Sequence, residues 1–177
     1  ATFSRARVQN WGDAESREVM RDIATELASR TGFGVCSIEV VRSGGLLELV
    51  TITGAPADVS LIGSGSELAH MERAIAEGER HGLFTFIRAE AMSPDTLAGV
   101  FESPPASDSS AATDAARWRS RDMLVADVRD EAGDLRALVT LEAPLDHHRP
   151  TAQTLEQASK VAAVPLRAVL TVIEREA

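Results

Sequence analysis

A chain of 177 residues with 44% hydrophobic side chains is long enough to bury one full-sized core, so a single domain is expected. Acidic residues outnumber basic residues by 27 to 18, giving a formal net charge of −9, which argues against nucleic acid or an anionic membrane surface as the partner. The apolar runs are too short to cross a bilayer and no signal segment opens the chain, so a cytoplasmic location is predicted.

The first half of the chain alternates between helical and strand patterns. Apolar residues recur at helical spacing until Gly32, and a Ser-Gly-Gly turn then separates two strand-like runs. Ser64 and Glu67 form a capping-box pattern ahead of further helical spacing. In chain order, the patterns predict a helix at 13–31, a hairpin of strands at 35–41 and 46–53, a helix from Ser64 to about residue 80, and a strand at 83–87.

The second half begins with a segment that has no apolar periodicity. Residues 91–116 are rich in proline, serine and alanine, so we expect a long flexible loop with one helical turn near 95–100. A second hairpin is predicted from strands at 123–128 and 135–141.

The last helix follows Pro150 and carries an apolar stripe over about 25 residues. Pro165 lies inside it, removes one amide donor and predicts a kink. Both this stripe and that of helix 13–31 are longer than one sheet face requires. We therefore expect the terminal helices to form a homodimer interface.

Four stretches of sequence carry a resemblance to the GAF domain family. They are Gly54 with residues 61–63, residues 82–87, Trp118 with residues 122–124, and residues 133–150. The last stretch is the most specific, because a strand, a short acidic turn and an Arg-Pro pair lead into the final helix. It resembles in particular the GAF domains that precede GGDEF and EAL modules in actinobacterial cyclic-di-GMP enzymes.

The resemblance spans roughly residues 17–175, with departures. Asp127 stands where the family usually has proline, Ala143 where an acidic residue is common, and His147-His148 where glycine and arginine are usual.

The resemblance implies a fold and a function. The fold is α+β, an α/β sandwich with a mostly antiparallel central sheet flanked by helices, and with the terminal helices packed together on one face. It would form one domain over 1–177 with an N-terminal extension at 1–12. The implied function is a non-catalytic sensory or regulatory domain that dimerises and controls an attached output module, with cyclic-di-GMP synthesis or breakdown as the output. The alternatives are a small-molecule receptor with a kinase, phosphatase or transcription-regulator output, and a purely structural dimerisation module.

A ligand in this fold would lie between the sheet and the elements spanning 56–118. Aromatic and polar residues of that region are the pocket candidates: Phe84, Phe86, Arg88, Trp118, Ser64 and Ser66. Amides near the two serines could bind the phosphate of a cyclic nucleotide at a helix start. For the two phenylalanines a core role is the simpler interpretation, and Trp118 is either a pocket wall or plain packing.

The sequence does not favour catalysis. Cys36 is the only cysteine, which excludes an intramolecular disulfide and the multi-cysteine cycle of GAF-like methionine-sulfoxide reductases. Cys36 shares one strand face with Ile38 and Val40. It is therefore interpreted as a buried hydrophobe that does not hold a bilin. The string at 63–68 lacks the third glycine of a dinucleotide fingerprint and is interpreted as a helix start.

The histidines do not predict a metal or haem. Asp146, His147 and His148 are adjacent in sequence, and adjacent residues rarely converge on one ion. His70 and His81 flank the second predicted helix without a proximal-ligand signature. No metal and no cofactor are therefore predicted.

Overall fold

Helices and strands follow one another as the hydrophobic periodicity predicts, except that the second predicted helix is shorter and has a short strand on either side of it. The computed structural model describes residues 10–54, 57–101 and 114–176. In chain order the elements are α1 (Ala14–Thr31), β1 (Phe33–Arg42), β2 (Leu46–Thr53), β3 (Gly65–Glu67), α2 (Leu68–Ala76), β4 (Glu79–His81), β5 (Phe84–Ile87), α3 (Pro94–Val100), β6 (Met123–Arg129), β7 (Leu135–Pro144) and α4 (Ala152–Glu176).

Helix α1 is bounded by local capping chemistry. The Asp13 carboxylate accepts a hydrogen bond from the Ser16 amide at 2.8 Å, which satisfies one of the free donors of the first turn. Gly32 ends the helix with a φ of 78°, a left-handed conformation in which glycine carries no steric penalty. The helix predicted at 13–31 is confirmed.

The strands form one seven-stranded sheet in the order β3-β2-β1-β7-β6-β5-β4. Every neighbouring pair is antiparallel, and the hairpins β1–β2 and β6–β7 agree with the sequence prediction. The two longest strands, β1 and β7, lie side by side at the centre. Residues on these two strands therefore lie deepest in the molecule.

One face of the sheet is covered by α1 and α4, and we call it the terminal-helix face. The helices pack against each other, and the Ser16 hydroxyl donates to the Glu176 carboxylate, so the start of α1 meets the end of α4. α4 is one helix through its buried Pro165. The largest side chains of this core are Trp11, Met20, Ile23, Leu27, Phe33, Ile38, Phe84, Phe86, Leu124, Leu141, Leu155, Leu166 and Ile173.

The opposite face, which we call the distal face, carries α2 and α3. A second, smaller core forms where they meet the sheet, from Leu47, Met71, Ala74, Ile87, Met92, Val100, Met123, Val125 and Leu138. Full burial of one such side chain contributes about 1.5–3 kcal/mol. The sheet is thus buried on both faces, with helices on each side.

The bounds predicted for the second helix, from Ser64 to about residue 80, are wrong. Gly65–Glu67 instead pairs with β2 as the edge strand β3, and only Leu68–Ala76 is helical. Glu67 stands at the N-cap without a side-chain hydrogen bond, so the Ser64 capping box does not form. The reason is tertiary, because pairing with β2 satisfies backbone groups that a helix start would leave free.

The predicted helical turn near 95–100 is confirmed as α3. The Ser93 hydroxyl accepts from the Thr96 amide, and Pro94 occupies the first turn, where its missing amide costs nothing. Residues 102–113 of the predicted flexible loop lie outside the described residues. Among the described helices, none combines the length and apolarity needed to cross a membrane.

Candidate functional site

Phe84 and Phe86 lie on the terminal-helix face. Both are buried in β5, at 0% and 2% exposure, within the core that includes α1 and α4. Thr85 and Ile87 alternate with them, and Ile87 belongs to the distal core. The two phenylalanines are therefore core residues, which was the simpler interpretation of their sequence. They do not line the space beneath α2 and α3.

Trp118 packs on the same side. Its ring meets Phe33 edge-on at a centroid distance of 5.6 Å and Phe86 at 5.9 Å. Its amide donates to the His147 carbonyl at 2.9 Å. Trp118 thus anchors the segment before β6 to the loop before α4.

Arg88 lies just beyond the end of β5. Its guanidinium carbon is 5.1 Å from the Phe86 ring centroid, and its Nε is 3.7 Å from a Glu79 carboxylate oxygen. The side chain is 36% exposed. Arg88 is therefore a surface residue that covers Phe86, and it is separated from the two serines.

Ser64 and Ser66 are both buried, at 6% and 7% exposure. Ser66 pairs with Leu47 of the distal core, and its hydroxyl lies 3.3 Å from the Glu39 carboxylate. The candidates therefore divide: Ser66 lies on the distal face, whereas Phe84, Phe86 and Trp118 lie on the other. They do not form one pocket.

Around Ser66 the distal face carries a group of polar side chains, and this group is our candidate site. We call it the polar patch, and it consists of Ser37, Glu39, Ser66, Thr140 and Glu142. Glu39 is 2% exposed and Thr140 is 4% exposed, while Ser37 and Glu142 are half-buried. These residues come from β1, β3 and β7, so rigid strands hold the patch.

The carboxylates of the patch are electrostatically strained. Burial raises the pKa of the Glu39 carboxyl, and the hydrogen bond from the Ser66 hydroxyl opposes part of that shift. Burial also raises the pKa of Glu142. Removing a charged group from water is unfavourable unless a partner compensates. The ionised form of Glu39 is therefore disfavoured by its surroundings.

Sequence reasoning missed the patch because it treated β1 as a strand with one buried face. Ser37 and Glu39 alternate with Cys36, Ile38 and Val40, a period-two pattern typical of a sheet with one face in water. The available signal was the helical spacing predicted between the two hairpins. A helix there must pack on the second sheet face, so residues of that face such as Glu39 can also be buried.

A second polar group lies at the end of the sheet next to α4, and we call it the Arg149 cluster (Glu90, Asp122 and Arg149). Arg149 Nε and Nη2 donate to the two oxygens of Asp122 at 2.8 and 2.9 Å, and Nη1 donates to Glu90 at 3.0 Å. Asp122 is fully buried and also accepts from the amides of Ala89 and Arg119, each at 2.8 Å. One guanidinium thus joins three separate stretches of chain.

The Arg149 cluster is electrostatically satisfied. The hydrogen bond that Arg149 donates to Glu90 lowers the pKa of the Glu90 carboxyl to about 2. The bonds to Glu90 and Asp122 raise the pKa of Arg149. The amide of Arg149 additionally donates to the Ala116 carbonyl at 2.7 Å. The cluster is therefore a structural connection between the distal elements and the start of α4.

The described residues contain no group of three or more His, Cys, Asp or Glu able to hold a metal. Cys36 is fully buried in the terminal-helix core, and burial raises the pKa of its thiol to about 12. A thiol at neutral pH with this pKa is a poor nucleophile. The interpretation of Cys36 as a buried hydrophobe is confirmed.

Comparison with solved structures identifies the architecture. A GAF domain/HD domain protein from Geobacter sulfurreducens aligns with a TM-score of 0.57 and 9% identity, over 89% of this chain and 94% of the other. The phycoerythrobilin-bound GAF domain from a cyanobacterial phytochrome aligns with a TM-score of 0.56 and 13% identity, over 92% of this chain and 89% of the other. The chain has a GAF-like fold.

The chromophore-binding domain of bacteriophytochrome RpBphP3 from R. palustris aligns with a TM-score of 0.54 and 11% identity over 92% of this chain. The chain spans 58% of that structure and 36% of another structure of the same bacteriophytochrome. No protein-family model matches the chain, and no curated protein matches it. At these identities the likeness establishes the fold, and fold alone does not specify chemistry.

Proposed function

We propose that the chain is a non-catalytic sensory or regulatory domain that dimerises through its terminal helices and controls an attached output module. The observation that carries this proposal is the adjacency of the two terminal helices. α1 and α4 pack side by side, and the Ser16 hydroxyl donates to Glu176. Elements entering and leaving the domain thus meet at one end, which suits a module that passes a conformational change along the chain.

The outer surface of α4 supports dimerisation. Val164 is 78% exposed, and Ala163 beside it is also exposed. The outer surface of α1 is charged instead, with ion pairs between Glu18 and Arg21 and between Glu26 and Arg30. The proposed interface therefore centres on α4, where apolar side chains gain most from cover.

The Arg149 cluster supports a route for the signal. Arg149 stands three residues before α4, and its partner Glu90 lies in the turn that leads to α3. A rearrangement of the distal elements would change the position of Glu90 and, through Arg149, the start of α4. Two-state movement of a packed connection of this kind is a common basis of allostery.

Cyclic-di-GMP synthesis or breakdown is the output we propose, and the sequence resemblance supports it. The stretch at 133–150, ending in Arg149-Pro150, is the most specific part of that resemblance. The chain contains neither the Gly-Gly-Asp-Glu-Phe nor the Glu-Ala-Leu signature, so such catalysis would reside in the attached module. Among the alternatives, the polar patch favours a small-molecule receptor over a purely structural dimerisation module.

Light scattering after size-exclusion chromatography tests the dimer. We expect a mass of twice 18.9 kDa for the wild type and a monomer for Val164→Glu. Val59 is 65% exposed and lies away from α4, so Val59→Glu is the matched control and should stay dimeric. A wild-type monomer at high protein concentration would refute the dimerisation part of the proposal.

A second experiment tests the output. The full-length protein should make or degrade cyclic-di-GMP, and Val164→Glu should change that rate while Val59→Glu leaves it unaltered. If the full-length protein instead shows kinase, phosphatase or DNA-binding activity, the cyclic-di-GMP part of the proposal is wrong and one of the alternative outputs applies. Equal rates in wild type and Val164→Glu would refute the proposed coupling between dimerisation and output activity.

A further inference from the structure

A pocket of about 260 Å³ lies where the end of α1 meets the start of α4. We call it the helix-junction pocket, and buried side chains form its floor: Phe33, Leu124, Leu155 and Ala158. Thr31, the last residue of α1, lines one side. Strands and helices hold these residues in place, and both terminal helices contribute to the pocket.

The lining of the helix-junction pocket is mainly apolar, because Pro144 and Pro150 add to the floor residues. Leu145 also lines the pocket and is 69% exposed, so the apolar surface continues to the rim. Covering apolar surface that water contacts is favourable. An apolar cavity of about 150 Å³ binds benzene, and drug-sized ligands need roughly 300 Å³ or more. The pocket therefore fits a molecule of one or two fused rings.

The surroundings of the pocket disfavour a charged ligand. Burial of a charged group against the apolar floor is costly. At the rim, the Asp146 carboxylate is negative, whereas the amino end of α4 beside Thr154 is the positive end of the helix dipole. These two groups act in opposite directions on the charge of a ligand. The pocket therefore favours an uncharged ring system.

One hydrogen-bond acceptor at the rim is available to such a ligand. Oδ1 of Asp146 accepts a hydrogen bond from the His148 amide at 2.9 Å, and no described residue donates to the other oxygen of this carboxylate. An ionised carboxylate oxygen accepts hydrogen bonds and cannot donate them. Asp146 therefore selects a ligand that carries an N–H or O–H group on its ring.

We propose that the helix-junction pocket binds a small, uncharged aromatic molecule whose N–H or O–H group donates to Asp146. This inference rests on the proposed sensory function and specifies its ligand class. The Phe33 ring on the floor also meets Trp118 at a centroid distance of 5.6 Å, and Arg149 lines the pocket. A bound ring thus contacts α1, α4 and the Arg149 cluster together, where it can alter the packing of the terminal helices.

The helix-junction pocket differs in position from the ligand site that the sequence resemblance implies. That site lies between the sheet and the elements spanning 56–118, which include α2 and α3 of the distal face. The floor of the helix-junction pocket belongs to the terminal-helix core instead. The two positions are on opposite faces of the sheet, so an experiment that locates a bound ligand distinguishes them.

Isothermal titration calorimetry with indole, an uncharged two-ring molecule with one N–H donor, tests the proposal. We expect saturable binding to the wild-type chain and a loss of about tenfold or more in affinity for Ala158→Met, because the longer side chain fills the floor. Ala14 is exposed at the start of α1, roughly 25 Å from the end of that helix. Ala14→Met is therefore the matched control and should bind as the wild type does.

A second titration tests the hydrogen bond to Asp146. The ring nitrogen of 1-methylindole carries no hydrogen, so this compound should bind the wild type more weakly than indole does. In Asp146→Ala, the ratio of the two affinities should fall by about threefold or more, because neither compound then has this acceptor. An unchanged ratio would show that Asp146 does not accept from the ligand.

Methyl NMR of the wild-type chain locates the bound indole without any substitution. We expect chemical-shift changes at the methyl groups of Leu124 and Leu155, and none at Leu47 and Met71 in the distal core. Changes confined to the distal core would place the ligand beneath α2 and α3 and overturn the assignment.

Two further outcomes overturn the proposal. These are no saturable binding of indole by the wild type, and unchanged binding by an Ala158→Met variant that circular dichroism shows to be folded. Should that variant not fold, the NMR measurement on the wild type still decides. A dimer that ignores indole removes only the ligand class, whereas a monomer that binds indole removes the dimerisation proposal and leaves the pocket.

Discussion

The two faces of the sheet bury different chemistry. On the terminal-helix face, aliphatic and aromatic side chains meet α1 and α4 in one continuous apolar core. On the distal face, the apolar core under α2 and α3 covers only part of the sheet, and Glu39, Ser66 and Thr140 are buried beside it. Buried polar groups reduce stability unless they are hydrogen-bonded. The terminal-helix face therefore stabilises the fold, and the buried polar groups of the distal face reduce that stability.

The contrast is sharpest at neighbouring positions of β1. Ile38 and Glu39 are both almost inaccessible, at 0% and 2% exposure, but successive strand residues point to opposite faces. Ile38 belongs to the apolar core, and Glu39 contacts Ser66. Burial alone therefore does not distinguish a core position from a binding position. The chemistry of the contacting groups does.

The largest effect is expected where the two sides of the molecule are joined. Arg149→Ala should destabilise the fold by about 3–5 kcal/mol, because Asp122 would keep a fully buried charge without its partner. Urea denaturation followed by circular dichroism measures the change. Arg129 is 52% exposed, so Arg129→Ala is the control and should cost less than about 1 kcal/mol. Equal losses in the two variants would contradict a structural role for the cluster.

Ile38→Ala tests the apolar face. We expect a loss of about 3 kcal/mol, because a fully buried side chain leaves a cavity that helices α1 and α4 cannot fill. Equilibrium urea unfolding gives the free energy, and an unchanged m-value would show that the unfolded state is the same. A loss below about 1 kcal/mol would mean that the two faces do not differ as described.

Glu39→Gln tests the polar face. This substitution is expected to increase the free energy of unfolding, whereas Ile38→Ala decreases it. Burial raises the pKa of Glu39 in the folded chain, so its ionised form destabilises the fold, fully so above the folded pKa. As the pH falls toward the unfolded value, near 4.5, protonation removes that penalty. The variant should therefore be more stable than the wild type at neutral pH, by on the order of 1 kcal/mol.

The pH dependence distinguishes charge from packing in that variant. The stability difference between Glu39→Gln and wild type should shrink as the pH falls through the mildly acidic range, and thermal unfolding at a series of pH values measures it. A destabilised variant at pH 7, or a difference that stays constant with pH, would show that Glu39 is already compensated in the free protein.

Most of the fold could be predicted because local pattern and final environment agree. Helix α1 and the two hairpins have periodicity, turns and caps that indicate the same structure. Residues 65–67 did not follow this rule, because a capping-box pattern suggested a helix while pairing with β2 produced strand β3. Such pairing depends on residues about 20 positions away and is invisible to local reasoning.

The candidate site was harder to predict for the same physical reason. Strand β5 was recognised, but which of its faces meets the terminal helices depends on tertiary packing, so Phe84 and Phe86 were grouped with Ser66 across the sheet. Glu39 and Glu142 resemble solvent-facing residues of alternating strands. Glu39 is buried only in the folded chain, where Ser66 of β3 lies against it.

The smallest expected effect concerns Glu90, the exposed edge of the Arg149 cluster. The hydrogen bond from Arg149 lowers the pKa of Glu90 to about 2, against a usual value of 4.5. A lowered pKa stabilises the fold fully above 4.5, and this contribution is lost as the pH falls toward 2. Glu90 is 46% exposed, so water screens the interaction, and Glu90→Gln should cost less than about 1 kcal/mol at pH 7.

The polar patch and the Arg149 cluster respond to acid in opposite directions, and this variant isolates the response of the cluster. The stability difference between Glu90→Gln and wild type should close between pH 4.5 and about 2, because the wild-type carboxyl is then protonated. Glu156 is an exposed carboxylate on α4 that pairs with Lys160 at 3.8 Å, so Glu156→Gln controls for the loss of a surface charge. A Glu90→Gln difference that persists unchanged at pH 2 would assign the effect to packing around Arg149 rather than to the charge of Glu90.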